Sequence, residues 1–330
     1  MKKLFLVILC GVMLFGITGC GGETKKEEKN DSVSFDYSKI NTTSENIGKT
    51  VNYETVLNED VKPSAYEGVE FTGDTGDLNE FEGEAENLNW VILAEDDENY
   101  MLTTVEATDD TFRLKGPDGY NNALQAMNAY CAKYYSTVIN GKKYVARNIN
   151  MNDIEAYYKD KSDSWKQDTL EYENYNKTGK EATNYKYYPS LYAMEKGSGM
   201  DEKLDASQMP EDYEPYNDSY KSDGKSTEKY LDTYYSANRK ELEDNFTNSD
   251  AFNIIFESGN SYWVATRVVS FGGSRLVQND SYAQFGVRIV SAGELKQTIL
   301  MKSDSGTDIT LKNMLSVRPV VVIPKSEIEL

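Results

Sequence analysis

Ser316-Val317-Arg318-Pro319-Val320-Val321-Val322-Ile323 is the stretch that decides the fold. Its apolar residues follow one another without polar alternation, and this pattern predicts a strand that is buried on both faces. Three segments before it also favour strands, because β-branched and aromatic residues dominate them: 261–270, 282–290 and, more weakly, 295–301. The C-terminal part of the chain is therefore predicted to be predominantly β.

Three of these predicted strands contain an arginine, namely Arg267, Arg288 and Arg318. Arginine is the cation best suited to buried ion pairs, so we predict carboxylate partners at the margin of a sheet. An anion-binding cluster is the alternative interpretation. With Tyr262 and Trp263, the three arginines make up our candidate for a structural or ligand-binding face.

A β-hairpin is predicted further upstream, where strands over 88–94 and 100–105 flank a polar turn at 95–99. We expect the acidic side chains of this turn to be solvated, with a calcium site as the alternative. A short strand is also predicted within 66–71.

A helix is predicted over about 120–135, because Leu124, Met127, Cys131 and Tyr134 or Tyr135 recur at three- and four-residue steps. Cys131 lies on this apolar stripe. We interpret it as a small buried hydrophobic residue, since no histidine exists to activate its thiol.

Two shorter helices are predicted from their capping residues. The first begins after Asn150 and buries Ile154, Tyr157 and Tyr158, and the second runs from a Ser249 cap to about residue 256. Between them, 159–245 is rich in Tyr, Lys, Asp and Glu and poor in Leu, Ile and Val, so we interpret it as an insertion. Sugar binding by its aromatic rings is the alternative to plain packing.

The N-terminal residues have the pattern of an export signal. Lys2 and Lys3 precede an apolar run over 4–17, which is too short to span a bilayer, and Thr18 and Gly19 precede Cys20. This order resembles the bacterial lipobox, which implies cleavage before Cys20 and acylation of that residue. The polar stretch 20–46 is predicted to be a flexible tether of about 28 Å. A single folded domain is predicted over 47–330.

Composition excludes several classes of function. The net charge of −20 opposes binding to nucleic acids, whose backbones are also negative. The chain has no histidine, and of its three cysteines only Cys131 lies beyond the lipobox, so no internal disulfide is expected. We predict no catalytic residue, no metal site and no cofactor.

Several short blocks carry a family resemblance and stand in the order of that family: 47–53, 119–123, 146–154, 187–193, 262–267, 285–288 and 317–321. They resemble exported lipoproteins of Gram-positive bacteria. The C-terminal half is similar to the domain shared by formylglycine-generating enzymes and C-type-lectin-like modules. The combination of Tyr262-Trp263, Arg267 and Val317-Arg318-Pro319-Val320 is its most specific part.

The resemblance implies an α+β fold with a mixed, mostly antiparallel sheet, flanking helices and long loops. It does not carry over an activity. Formylglycine-generating enzymes need a pair of cysteines for copper, and Cys131 stands alone. The lectin-like calcium motifs Glu-Pro-Asn, Gln-Pro-Asp and Trp-Asn-Asp are absent from the sequence.

These observations favour a non-catalytic binding module. We expect it to be held through lipidated Cys20 at the outer face of the cytoplasmic membrane and to bind an envelope glycan or a surface protein. A structural or assembly component of the envelope is one alternative. A hydrolase that uses two carboxylates is the other.

Overall fold

The computed structural model describes residues 33–61, 66–72, 85–159, 238–257, 259–272, 282–302, 307–308 and 314–330. Within these residues the strands in chain order are β1 (Thr50–Val51), β2 (Val69–Thr72), β3 (Trp90–Glu95), β4 (Asn99–Thr104), β5 (Thr111–Leu114), β6 (Thr137–Ile139), β7 (Lys142–Tyr144), β8 (Arg147–Asn148), β9 (Tyr262–Gly272), β10 (Tyr282–Ser291), β11 (Glu294–Lys302), β12 (Thr307–Asp308), β13 (Leu315–Ser316) and β14 (Pro319–Pro324). The α-helices are α1 (Gly116–Tyr134), α2 (Met151–Glu155), α3 (Arg239–Asn245) and α4 (Ser249–Phe256). The predicted signal peptide, Cys20 and residues 160–237 of the predicted insertion lie outside the described residues.

Two sheets form the frame of the molecule. The first has the strand order β1-β3-β4-β14-β8 and the second β12-β11-β10-β9-β13-β5-β2. Among the described strands, β13 and β9 make the one parallel pairing. β6 and β7 form a separate hairpin. The prediction of an α+β fold with mostly antiparallel sheets is confirmed.

The prediction of one strand over 316–323 is wrong, because this stretch divides between the two sheets. β13 pairs with β5 and β9 in the second sheet, whereas β14 pairs with β4 and β8 in the first. Val317 and Arg318 lie between them and are fully buried. The break falls immediately before Pro319, which lacks an N–H and is tolerated at the first position of a strand. We call this passage the crossing.

The other predicted strands agree with the structure. β3 pairs with β4 as the predicted hairpin, and β2 covers the second half of the strand predicted within 66–71. β9, β10 and β11 occupy the three predicted C-terminal strands and pair in sequence.

Helix α1 begins at Gly116 rather than near residue 120, with Pro117 in its first turn. Proline suits that position because the first N–H groups of a helix have no partner within it. The buried stripe of α1 contains Met127, Cys131 and Tyr134, as predicted. Leu124 is partly buried against the same core.

Helices α2 and α4 are set by asparagine caps. Asn150 and Asp153 form a complete capping box on α2, and Ile154, Tyr157 and Tyr158 are buried, as predicted. The cap of α4 is Asn248, whose side chain accepts from the amides of Asp250 and Ala251. The prediction of Ser249 as that cap is therefore wrong by one residue.

The two ends of the predicted insertion lie side by side. Tyr158 and Phe246 form an isolated antiparallel bridge, and the amide of Lys159 donates to the carbonyl oxygen of Asn245 over 2.7 Å. The ends of the predicted insertion at 159 and 245 are therefore adjacent, as an insertion requires.

The prediction of a flexible tether through residue 46 is wrong for residues 33–46, which we call the strap. The strap belongs to the same compact unit as the rest of the chain from Ser32 onward. Phe35, Tyr37 and Ile40 pack against the buried cluster that contains Ile154 and Phe252. The folded unit therefore begins before the predicted boundary at residue 47.

The core consists of two clusters. One surrounds α1 and includes Trp90, Tyr130 and Trp263, and the other lies under α2, α3 and α4. β3, β4 and β14 contribute side chains to both, because successive residues of a strand face opposite sides of its sheet.

Candidate functional site

The crossing is held by the side chain of Arg318. Its Nη2 atom donates to the carbonyl oxygens of Thr104 and Val105 over 2.6 and 2.8 Å, and its Nε atom donates to Thr104 over 3.1 Å. Thr104 is the last residue of β4, and Val105 follows it. The guanidinium therefore joins the end of the first sheet to the chain that enters it.

The ring of Tyr262 packs against the guanidinium of Arg318. The Cζ atom of Arg318 lies 5.2 Å from the ring centre of Tyr262, and the Tyr262 hydroxyl donates to the carbonyl oxygen of Ile255 over 2.7 Å. A cation over an aromatic face in a desolvated place is stabilising. This links the crossing to the end of α4.

Asn148 and Trp263 complete the crossing. The Oδ1 atom of Asn148 accepts from the amide of Arg318 over 2.7 Å, and its Nδ2 atom donates to the carbonyl oxygen of Trp263 over 2.9 Å. The indole N–H of Trp263 donates to the carbonyl oxygen of Phe112 over 3.0 Å. These side chains thus bridge the two sheets at the point where the main chain passes from the second sheet to the first.

The predicted carboxylate partner of Arg318 is wrong. Within the described chain its guanidinium donates to carbonyl and hydroxyl oxygens. Arg288 is also fully buried, and Arg267 stacks over Tyr120 with its Cζ atom 5.0 Å from the ring centre. The predicted group therefore has different surroundings at each arginine.

Burial also decides whether the candidate face predicted from the sequence is structural or ligand-binding. Tyr262, Trp263, Arg288 and Arg318 are fully buried, so no external ligand reaches them in this conformation. The structural interpretation of these residues fits the geometry, and the interpretation as a surface binding face does not.

The acidic turn at 95–99 is not a solvated loop throughout. Glu95 and Asp96 are buried, whereas Asp97 is exposed. Asp96 accepts from the amides of Asp36, Glu98 and Asn99. Burial alone would raise the pKa of Asp96, but these hydrogen bonds lower it on balance. The expectation that this turn is solvated is therefore wrong for Glu95 and Asp96.

A second charged cluster joins the strap to α2. Arg147 makes a two-pronged pair with the fully buried carboxylate of Asp153, with both N–O distances 2.7 Å. The Tyr37 hydroxyl donates to the same carboxylate over 2.6 Å. Burial and the Asp153 charge raise the pKa of Tyr37. Burial alone would lower the pKa of Arg147, but Asp153 raises it on balance.

A third cluster brings two carboxylates close to two tyrosines. Glu86 accepts from the amides of Asp109 and Asp110, and the Tyr135 hydroxyl lies 3.4 Å from its Oε1 atom. The Tyr130 hydroxyl donates to Asp110. Burial is the main cause that raises the pKa of Glu86, and the neighbouring acids add to it. A half-buried acid beside a second carboxylate has the composition of an acid–base pair.

Cys131 is fully buried in the core around α1, as predicted. Burial raises the pKa of its thiol, which keeps the sulfur protonated and unreactive.

The β6–β7 hairpin is a surface feature that was not predicted from the sequence. Its turn is Asn140-Gly141 with φ of 51° and 77°, and Asn-Gly between alternating residues is the strongest short-range signal for a hairpin. Val138 and Val145 lie on its outer face as diagonal neighbours, because Val138 pairs with Lys143.

Two further aliphatic side chains lie beside this hairpin. The amide of Val56 donates to the carbonyl oxygen of Ser136 over 2.8 Å, which places Val56 and Leu57 next to the start of β6. Val56, Leu57, Val138 and Val145 are each between 43% and 49% exposed. We call these four residues the hairpin patch.

In the described part of the chain, no group of three or more histidine, cysteine, aspartate or glutamate side chains is placed to hold a metal ion. A separate search of the same residues found no helix with both the length and the apolar character needed to cross a membrane. Comparison with known proteins found no match to a protein-family model, a curated protein or a solved structure.

Proposed function

We propose that the protein is an extracytoplasmic lipoprotein, anchored through acylated Cys20 to the outer face of the cytoplasmic membrane. The observation that carries this proposal is the run over 4–17 followed by Thr18, Gly19 and Cys20. The apolar run is long enough for an export signal and too short for a permanent span. Several acyl chains on one residue would give a stable anchor, since each buried methylene adds about 0.8 kcal/mol.

Metabolic labelling with radioactive palmitate tests the anchor. We expect label on the wild-type chain, none on a Cys20→Ser variant, and undiminished label on a Cys10→Ser variant, which changes a cysteine inside the apolar run. Label that persists in Cys20→Ser, or a wild-type chain that fractionates without membranes, would refute the anchor.

We further propose that the folded part is a non-catalytic module that binds a surface protein through the hairpin patch. Aliphatic side chains exposed side by side are characteristic of protein contacts, whereas sugars are commonly bound by aromatic rings. Lys143 pairs with Asp60 beside Val138, which gives the patch a polar rim. Apolar centres with polar rims are typical of protein interfaces.

Site-specific cross-linking in intact cells tests this surface. A photoreactive residue at position 138 or 145 should give a discrete adduct, and the same residue at Val105, an exposed valine outside the patch, should not. Val56→Asp should abolish the adduct from position 138. Equal adducts from all three positions, or none from 138 and 145, would exclude the patch. Glycan binding that survives Val138→Asp would support a glycan ligand elsewhere on the molecule.

The finer fold assignment is also a proposal. The ordered blocks at 262–267, 285–288 and 317–321 support a relationship to the domain of formylglycine-generating enzymes and C-type-lectin-like modules. In this chain those blocks lie in or beside β9, β10 and the crossing. An experimental structure that includes residues 160–237 tests the assignment through the complete strand order.

A hydrolase is the second candidate, and the cluster of Glu86 and Asp110 is the observation that favours it. The raised pKa of Glu86 suits a general acid, and Asp110 would be the second carboxylate. Hydrolysis of chromogenic glycosides that is lost in both Glu86→Gln and Asp110→Asn, but kept in Glu70→Gln, would support it. Glu70 is a suitable control because its carboxylate pairs with Arg113 and Lys115 away from this cluster. Activity that is absent, or unchanged by both substitutions, would exclude it.

A further inference from the structure

The strap has few main-chain attachments. Among the described residues, one main-chain hydrogen bond joins it to the strands that it covers, from the amide of Asn41 to the carbonyl oxygen of Glu95 over 2.9 Å. By contrast, β3 and β4 are paired along their length, with one irregularity between Ile92 and Ala94. The attachment of the strap therefore depends mainly on side chains.

Carboxylates supply most of these side-chain attachments. The Asp96 carboxylate accepts from the amide of Asp36 over 2.9 Å, and Asp153 accepts from the Tyr37 hydroxyl. The two oxygens of Glu95 accept from the side-chain amides of Asn41 and Asn46, each over 3.2 Å. Glu95, Asp96 and Asp153 are all buried, so the acceptor side of these hydrogen bonds is shielded from water.

Apolar packing adds to these bonds without replacing them. Phe35, Tyr37 and Ile40 are only partly buried where they contact the core. Ser44 and Ile47, at the far end of the strap and just beyond it, are buried. The apolar contacts of the strap are therefore made by half-exposed side chains within 33–43, and full burial begins only at Ser44.

The strap also contacts the elements on both sides of residues 160–237. Tyr37 bonds to Asp153 in α2, which precedes this interval. The Nδ2 atom of Asn248, the cap of α4 after the interval, donates to the carbonyl oxygen of Thr42 over 3.1 Å. One short segment thus holds two elements that are far apart in the chain.

We propose that the strap is a separable clasp across α2 and the cap of α4, and that acid releases it before the two sheets unfold. Protonation of Glu95 and Asp96 removes the charge from two of the carboxylates that hold the strap. Hydrogen bonds to a charged acceptor are about twice as strong as those to a neutral one. The strand ladders have no such dependence, because amide groups do not titrate.

The cations that face Glu95 and Asp153 agree with this direction. Lys325 faces Glu95 with 3.1 Å between Nζ and Oε2, and Arg147 faces Asp153. Around Asp96, the charged neighbours are Asp36, Lys39, Asp97 and Glu98, and Lys39 pairs with Asp36 and Asp97. Tyr100 and Tyr157 also lie near Glu95. Tyrosines are neutral in acid, so they do not offset the loss of the carboxylate charge.

The sign of the pH dependence follows from the lowered pKa values of Glu95 and Asp96. For Glu95, burial alone would raise the pKa, and bonds from Ser44, Asn46 and Lys325 lower it on balance. A carboxyl with a lowered pKa stabilises the folded state fully above its ordinary pKa, which is 4.5 for Glu95 and 3.8 for Asp96. That stabilisation is lost as the pH falls below those values.

Hydrogen exchange on the full chain carrying Cys20→Ser tests the clasp without acylation, so its result does not depend on the proposed anchor. Protection factors, corrected for the intrinsic pH dependence of exchange, would be measured at pH 7, 5 and 3.5. We expect protection of the Asp36 and Asn41 amides to fall at least tenfold between pH 5 and 3.5. Protection of the β3 and β4 amides that lie away from the 95–99 turn should be unchanged over that interval, whereas the Asn99 amide donates to Asp96 and is left out of the comparison.

Two matched variants test whether a loss of protection is specific to the strap or reflects a lower stability of the whole molecule. Tyr37→Phe removes the hydroxyl that bonds to Asp153, whereas Tyr53→Phe removes a hydroxyl that donates to the Tyr135 carbonyl oxygen over 2.6 Å outside the strap. At pH 7, Tyr37→Phe should lower protection of 33–43 about tenfold, as expected for loss of a bond to a charged group. Tyr53→Phe should leave that protection unchanged.

Two outcomes would overturn the proposal. If protection in the strap and in β3–β4 falls together at every pH, the strap is not separable from the sheets. If protection of the strap is unchanged from pH 7 to 3.5, its attachment does not depend on the carboxylate charges.

Discussion

The crossing and the strap are both irregular segments that hold distant parts of the chain together, but they do so by opposite means. At the crossing, a buried cation binds uncharged carbonyl oxygens at the end of β4. At the strap, buried anions bind amide and hydroxyl donors from a half-exposed segment. The guanidinium stays charged at any ordinary pH, whereas carboxylates do not. We therefore expect the attachment at the crossing to persist at every ordinary pH and the attachment of the strap to depend on pH.

Loss of the Arg318 side chain should have the largest effect. Arg318→Met removes the donors to the carbonyl oxygens of buried Thr104 and of Val105, and we expect it to lower the free energy of unfolding by about 3–5 kcal/mol. Urea denaturation measures this. Arg239→Met is the matched control, because Arg239 is exposed and pairs with Glu257 at the surface, and it should cost less than about 1 kcal/mol. Equal costs for the two variants would contradict a special role of the crossing.

Asp153→Asn should have the next largest effect. It removes the charge that pairs with Arg147 and accepts from Tyr37, and Arg147 keeps partial access to water. We expect a loss of about 2 kcal/mol in the free energy of unfolding, together with weaker protection of the strap. Asp60→Asn, at an exposed carboxylate that pairs with Lys143 outside the strap, should change neither quantity measurably. If Asp153→Asn lowers the free energy of unfolding but leaves the strap fully protected, the Asp153 carboxylate of α2 does not hold the strap.

A comparison of two helix caps should give a smaller effect. Asn248→Ala and Asn150→Ala each remove a capping side chain, and each should cost about 1 kcal/mol in the free energy of unfolding. Asn248→Ala also removes the bond to Thr42. Protection of residues near Thr42 should fall in Asn248→Ala and stay unchanged in Asn150→Ala. A fall in both variants would mean that the strap senses helix stability in general.

The last prediction is that release of the strap has no effect on the reactivity of the Cys131 thiol. In a Cys10→Ser, Cys20→Ser chain this buried thiol is the one cysteine left. At a pH where the strap is released, a thiol-specific reagent that reacts in acid should not label Cys131 until urea unfolds the sheets. Labelling that coincides with strap release would show that the core around α1 opens with it.

The regular elements could be predicted from the sequence because their signals are local. The β3–β4 hairpin and the buried stripe of α1 follow directly from the spacing of their apolar residues. Pro117 signalled the earlier start of α1, and Asn140-Gly141 signalled the β6–β7 hairpin. Pro319 inside an apolar run likewise signalled that this run is not one strand.

The strap could not be predicted, because its partners are distant in the chain. Phe35 and Tyr37 are isolated aromatic residues in a charged stretch, and Tyr37 bonds to Asp153 and Arg147, more than a hundred residues away. The partners of Arg318 were missed for a related reason. Carbonyl oxygens at the end of a strand leave no signature in side-chain sequence, whereas carboxylates do.

Docking of the strap has a consequence for the reach of the molecule. With Cys20 acylated as proposed, only residues 21–32 separate the anchor from the strap, and twelve residues span roughly 40 Å at most when fully extended. Release of the strap would add residues 33–46 and extend that limit to roughly 90 Å. Release of the strap would then lengthen the connection between the anchor and the folded domain. The pH at the cell surface would therefore set the maximum distance between the membrane and the hairpin patch.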